Sequence, residues 1–250
     1  MFFPAARRWL SVVLLAVSGF LPSSASAGMT PEEVKMFERF KPLAEKGDRS
    51  AQANLGTYYA YGRGVAKDEV EGARWLRKAA EQGDVYGQNN LGYCYAYGRG
   101  VAKDMVEAAK WYRKAADQGY PPGQKNLGYC YANGTGVAKD MVEAVKWWRR
   151  AADQGYSSAL YSLGNYYAYS RGVAKDVVEA YAYYSLASMP KELSGKIFDS
   201  SLPITIENAR RDLAILEKRI SSDVRLRGQR RTLELQKEIE AKIAAKKAGN

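Results

Sequence analysis

The chain has 250 residues, a formal net charge of +11 and no histidine. The missing imidazole removes the usual general base near neutral pH, the commonest metal ligand and every His-containing catalytic triad. The positive balance favours anionic partners or surfaces at low ionic strength, without naming one.

At the amino terminus Arg7 and Arg8 precede an apolar run from Trp9 to Leu21, followed by Ser23-Ser24-Ala25-Ser26-Ala27. This is the pattern of a signal peptide over residues 1–27, with cleavage expected after Ala27. The run falls short of the roughly 20 apolar residues that a membrane helix needs. No cysteine stands near the cleavage point to carry a lipid. The mature protein is therefore expected to be periplasmic or secreted, where nucleic acid is not an expected partner. Loss of Arg7 and Arg8 lowers the charge by two, from +11 to +9.

Residues 28–48 read as a capping helix. Thr30-Pro31-Glu32-Glu33 carries a helix start, and Leu43-Ala44-Glu45-Lys46-Gly47-Asp48 matches Ala79-Ala80-Glu81-Gln82-Gly83-Asp84 further on.

Residues 49–190 are organised by a repeat. Leu55-Gly56, Leu91-Gly92, Leu127-Gly128 and Leu163-Gly164 recur every 36 residues, and Gly-Val-Ala-Lys-Asp recurs in phase at 64–68, 100–104, 136–140 and 172–176. In each copy a first helix, A, places residues such as Ala51, Leu55 and Tyr59 on one face. Glycine pairs such as Gly62 and Gly64 supply the left-handed conformations that end it, with Ser170 replacing the first glycine in the fourth copy. Asp-x-x-Glu, at Asp68/Glu71, Asp104/Glu107, Asp140/Glu143 and Asp176/Glu179, has the spacing of a reciprocal cap for the second helix, B. Helix B carries its apolar stripe on residues such as Ala109, Tyr112, Ala115 and Ala116. Helices this short bury their stripes only by stacking, so the expected fold is all-α, a right-handed α-solenoid of four helix–turn–helix repeats with capping helices at both ends.

Residues 191–250 depart from the period. A loop containing Pro203 is expected to lead into basic amphipathic helices near 205–220 and 222–247, with stripes at Leu213, Leu216 and Ile220 and at Leu235, Ile239 and Ile243. They read first as a cap on the last repeat. Arg225, Arg227, Arg230 and Arg231 form a basic patch, either ion-paired within the chain or offered to an anionic envelope polymer or membrane surface.

The repeat also absorbs residues that might otherwise suggest chemistry. The Gly-Arg-Gly-Val-Ala-Lys-Asp loop resembles a phosphate cradle, but no strand precedes it and its Asp is needed as a cap. The acidic pairs are capping groups before they are acid–base catalysts. Neither a zinc nor a calcium ligand set is visible, and no cofactor is expected. Cys94 and Cys130 hold equivalent places in successive A helices, roughly 8–10 Å apart at helix spacing. That is beyond the reach of a disulfide, about 7 Å, so both are expected as reduced core thiols.

Leu-Gly-x-x-Tyr in helix A, Gly-x-Gly-Val-x-x-Asp in the connection and the helix B run Ala108-Ala109-Lys110-Trp111-Tyr112-Arg113-Lys114-Ala115-Ala116-Asp117-Gln118-Gly119 resemble Sel1-like repeats, relatives of tetratricopeptide repeats. The resemblance implies an adaptor or scaffold that binds a protein or peptide partner, regulating envelope assembly or signalling, and no enzyme. It also implies that helix A lines the concave surface. With Leu91, Gly92 and Tyr95 as the buried reference, the positions facing a ligand are Thr57 and Tyr61; Asn89, Tyr93 and Tyr97; Lys125, Tyr129 and Asn133; and Tyr161, Asn165 and Tyr169. Tyrosines provide flat contact area tipped by a hydrogen-bonding group. Some could instead fill gaps between repeats. A carbohydrate- or peptidoglycan-binding module is the alternative that such rings also suit, and a cell-wall or β-lactam-acting enzyme is a further one, for which no nucleophile–base pair is visible.

Overall fold

The computed structural model describes residues 29–169, 176–189 and 202–249, so the expectations for the signal segment and for Ser170 lie outside the described residues. Among the described residues there are eleven α-helices and no strand. A first helix, α1 (Pro31–Glu45), is followed by four A/B pairs: α2 (Arg49–Tyr61) and α3 (Glu69–Glu81), α4 (Val85–Tyr97) and α5 (Met105–Asp117), α6 (Pro121–Asn133) and α7 (Met141–Ala152), α8 (Ser157–Tyr169) and α9 (Val177–Ala187). Helices α10 (Leu202–Glu217) and α11 (Ser222–Ala248) complete an all-α solenoid of four repeats.

Two glycines give each connection its shape for different reasons. Gly62, Gly98 and Gly134 close their A helices in the left-handed conformation, each at φ 69°. The second glycine lies against the preceding repeat. A Cβ on Gly64, Gly100 or Gly136 would come within 2.3, 1.8 and 1.8 Å of the carbonyl oxygens of Glu33, Glu69 and Met105. These carbonyls belong to the first turns of α1, α3 and α5, so each connection packs backbone against backbone on the repeat before it.

Helix B starts differently from the reciprocal cap that the spacing suggests. Asp68, Asp104, Asp140 and Asp176 do accept from the amides of Glu71, Glu107, Glu143 and Glu179, at 2.9, 3.0, 3.0 and 3.0 Å. The amides of Asp68, Asp104 and Asp140, however, donate to the carbonyls of Tyr59, Tyr95 and Tyr131 at 2.8, 2.9 and 2.9 Å. With that donor satisfied, Glu71, Glu107 and Glu143 turn outward to Arg74, Lys110 and Lys146 at 2.7, 2.6 and 2.7 Å. The complete box forms at α1, between Thr30 and Glu33.

The core runs the length of the stack. Leu55, Leu91, Leu127 and Leu163 are fully buried. The glycine after each lets helix B close in, so a Cβ at Gly92, Gly128 or Gly164 would meet Tyr112, Trp148 or Tyr184 at 2.8, 2.5 or 2.6 Å. Register between repeats is held by buried amides: Gln52, Gln88 and Gln124 donate to the carbonyls of Ala44, Ala80 and Ala116 and accept from Gln82, Gln118 and Gln154. A buried amide needs such partners, and a slipped stack would leave them unmade. Cys94 and Cys130 are free, buried thiols in separate apolar clusters. Burial pushes Cys94 up to about 11 and raises Cys130 as well, so both are neutral at physiological pH.

Successive A helices touch one another, α2 to α4 and α4 to α6. At the far end α10 packs on α8 and α9, and α11 packs along α9 with Leu235 and Ile239 buried. Pro203 sits in the first turn of α10 and not in a preceding loop, because proline's missing N–H costs nothing there. No described helix is long and apolar enough to cross a membrane.

Candidate functional site: the groove of the A helices

Once leucine, glycine and alanine have been spent on the core, each A helix keeps an inner face. Its last residue is Tyr61, Tyr97, Asn133 or Tyr169, one repeat apart in sequence. These three tyrosines are 51%, 64% and 58% exposed, at the same position of three repeats. One turn earlier, Thr57, Tyr93 and Asn165 are half-buried and Tyr129 is more exposed than they are.

Side-chain contacts organise the face. Tyr93 and Tyr97 rings lie 4.4 Å apart, with Arg99 5.1 Å over Tyr93. Arg63 stands 5.6 Å over Tyr61, and Lys125 5.6 Å over Tyr129. The Tyr129 hydroxyl pairs with Ser162 at 2.8 Å, bridging two repeats, while its ring meets the edge of Trp148. Asn133 donates to the Tyr129 carbonyl, Asn165 accepts from the Tyr184 hydroxyl, and Thr57 donates to the Ala53 carbonyl. Burial raises the Tyr93 and Tyr129 hydroxyls above their ordinary range, so both are neutral donors at any physiological pH.

Between neighbouring A helices lies a row of hollows. One of about 660 Å³ between α2 and α4 is lined by Asn54, Thr57, Tyr61, Arg63, Tyr86 and Asn90, among others. The next, about 580 Å³, joins α4 to α6 through Tyr97, Lys103, Lys125, Asn126, Tyr129 and Asn133. A third, about 310 Å³, joins α6 to α8 through Tyr129, Asn133, Lys139, Trp148, Asn165 and Tyr169. Tyr129 and Asn133 belong to both of the last two, so these run into one another, and the first lies in line with them along the A helices.

Two residues expected on this face are used elsewhere. Asn89 is buried, with only 9% of its surface exposed; it donates to Asn90 and accepts from Asn126 at 2.9 Å, tying the second repeat to the third. Tyr161 donates to Asp212 of α10 at 2.7 Å, since the carboxy-terminal cap covers the fourth repeat there. Asn54, Asn90 and Asn126 also reach this face, and their recurrence one residue before the core leucine is the sequence signal for them. Arg63, Arg99, Lys103 and Lys139 reach it too, from connection motifs whose glycines and aspartates are structural.

The basic patch does not survive as four available charges. Arg231 turns towards α9 and pairs with Glu179 at 2.6 Å and Glu238 at 2.8 Å. Burial opposes its charge, but the bonds to Glu238 and Glu179 outweigh that and raise its pKa. Arg225 donates to the Glu217 carbonyl, and Arg227 pairs with Asp223. Arg230 remains exposed. Among the described residues no group of three or more carboxylates or thiols is gathered to hold a metal ion.

Residues 49–84, 85–120, 121–156 and 157–189 each match the Sel1 repeat. A Sel1 repeat protein of Oxalobacter formigenes is similar at 32% identity, over 72% of this chain and 82% of that one, with a TM-score of 0.56. A protective antigen of uropathogenic Escherichia coli displaying an SLR fold is 28% identical over 84% of this chain and 50% of its own, with a TM-score of 0.49. No curated protein matches the chain. Four consecutive repeat matches spanning more than half of the sequence, on a solenoid whose glycines, capping aspartates and core leucines explain the period, make this chain a member of the Sel1 repeat family.

Proposed function

We propose that the protein is an adaptor that holds a protein or peptide partner in the groove of its A helices, and that it works in the periplasm or outside the cell. Sel1 repeat proteins in general mediate protein–protein interactions, and their scaffold is generally non-catalytic. The observation that carries the reading is the row Tyr61, Tyr97 and Tyr169: residues more than half exposed, at one repeated position, above hollows that none of the described residues fills. Export rests on the amino-terminal segment, and a role in envelope assembly or signalling follows from that location.

The chemistry of the chain supports binding without turnover. It has no histidine, its helix-start aspartates are committed to amides, and its thiols are buried and protonated. A carbohydrate module is the second reading: Arg63, Arg99 and Lys125 each cover one face of Tyr61, Tyr93 and Tyr129, which leaves Tyr97 and Tyr169 as the rings on which a sugar would stack. An anionic polymer or membrane surface at α11 is weakened by the ion pairing of two of its four arginines, Arg227 and Arg231.

Site-specific photocrosslinking tests the groove. A benzophenone side chain at position 97 is expected to capture a discrete partner, and the same group at the exposed Lys110 of α5 is not. Replacing Tyr61, Tyr97 and Tyr169 together by Ala is expected to weaken that partner's affinity by tenfold or more, about 1.4 kcal/mol, with the melting transition preserved. Capture from position 110 alone, or affinity unchanged in the triple variant, contradicts the assignment.

A further inference from the structure

The groove has a sign. Arg63, Lys103, Lys125 and Lys139 line its hollows and Arg99 a smaller cavity of about 20 Å³ beside Tyr61 and Tyr93, whereas the carboxylate among their linings is Asp84. Asp84 is buried and already caps α4 by accepting from the Gly87 amide at 2.7 Å. Among the described residues Arg63, Arg99, Lys103 and Lys139 form no salt bridge. Glu33 and Glu69 act on Arg63 and Arg99 only through space, and Glu69 is itself paired with Lys67 at 2.8 Å.

The groove also has a step. Asn54, Asn90 and Asn126 place one amide side chain in each of the first three repeats, with Ser162 at that position in the fourth. Asn54 donates to the Ser50 carbonyl, Asn126 donates to Asn89 and Asn90 accepts from Asn89, which leaves each amide at least one N–H and one oxygen lone pair for a ligand. Neighbouring packed helices are roughly 8–10 Å apart, which is the length of about three residues of extended chain at ~3.3 Å each. Side-chain amides match main-chain N–H and C=O groups in kind and number. The hollows along these steps, of about 310, 580 and 660 Å³, are each wide enough to take several side chains of an occupant.

Resting on the groove reading above, we infer that the occupant is an extended acidic segment of a partner protein. Its carboxylates meet Arg63, Arg99, Lys103 and Lys139, and its main chain bonds to the asparagine row. The tyrosine beneath Arg63 or Arg99 holds the guanidinium by its flat face and leaves its N–H edge for the carboxylate. An acidic polysaccharide would also satisfy the charges and could bond to the amides through its hydroxyls, so it is the rival occupant to exclude.

Fluorescence anisotropy on the full mature chain tests this with three labelled probes: a peptide of alternating Glu and Ser, its Lys–Ser counterpart, and polygalacturonate. Two variants of equal net charge are compared, Lys103→Glu/Lys139→Glu in the groove and Arg210→Glu/Lys237→Glu on α10 and α11. The Glu–Ser peptide is expected to bind the wild type and the α10/α11 variant with affinities within about twofold, and the groove variant about tenfold or more weakly. Equal losses in both variants would reduce the effect to net charge and overturn the proposal. So would tighter, groove-dependent binding of polygalacturonate, or preference for the Lys–Ser peptide. The two readings fail separately: a partner that crosslinks at position 97 through a basic or uncharged segment leaves the groove in place and removes only its acidic occupant.

Discussion

Gly83 and Gly100 both have positive φ, at 82° and 68°, yet their surroundings differ completely. A Cβ at Gly83 meets nothing within 4 Å, whereas at Gly100 it would lie 1.8 Å from the Glu69 carbonyl oxygen. Gly83→Ala is therefore expected to cost about 1–2 kcal/mol, the price of a left-handed alanine. Gly100→Ala adds a backbone collision between repeats and should exceed about 3 kcal/mol. Urea unfolding of the two variants distinguishes them, and equal losses would mean that the connection does not pack on the preceding repeat. Cys94 gives a pH prediction. Its thiol is raised by burial, and secondarily by Glu69, from 9.0 to about 11. Below pH 9 it is protonated in both folded and unfolded chains, so its contribution is fully present. As pH rises from about 9 to 11 the unfolded chain ionises first, and stability is lost. The fall in stability between pH 8 and pH 10.5 should be about 2 kcal/mol smaller in Cys94→Ala than in the wild type. An unchanged fall would mean that the thiol is reached by water in the native state.

At the scale of elements, the helices and their ends were legible in the sequence, because glycine, aspartate and leucine act there through local rules. Partners that depend on a second element were not. The reciprocal cap expected of Glu71, Glu107 and Glu143 fails because a carbonyl of helix A, nine residues earlier in the chain, has already taken the aspartate amide. Asn89 and Tyr161 fit the helical pattern for the inner face, but the neighbouring repeat takes one and α10 the other. For Arg231 the sequence leaves an internal ion pair and an external anion both open, and the structure makes it the ionic contact that docks α11. Its guanidinium and the Glu179 carboxylate keep only 25% and 20% of their side-chain surfaces. Arg231→Ala leaves Glu179 without that partner and is expected to cost about 1–3 kcal/mol, partly screened by solvent. Because α11 covers α9, the same variant should be cut faster by protease near Ser221. An unchanged cleavage rate would show that apolar packing of Leu235 and Ile239 suffices.

For the whole molecule, the period explains both order and function. Each repeat contacts its neighbours, so the glutamine pairs, glycine contacts and leucines must recur, while the inner face is free to vary from Thr57 to Tyr93, Tyr129 and Asn165. That division between repeated scaffold and variable groove is the central claim. It is tested most directly by hydrogen exchange of the protein alone and in complex with the partner captured at position 97. The account predicts slowed exchange in the last turns of α2, α4, α6 and α8 and in the connections carrying Arg63, Arg99 and Lys103, with the outer turns of α3, α5 and α7 unchanged. Protection centred on the B helices or on α11, with the A helices unaffected, would contradict it.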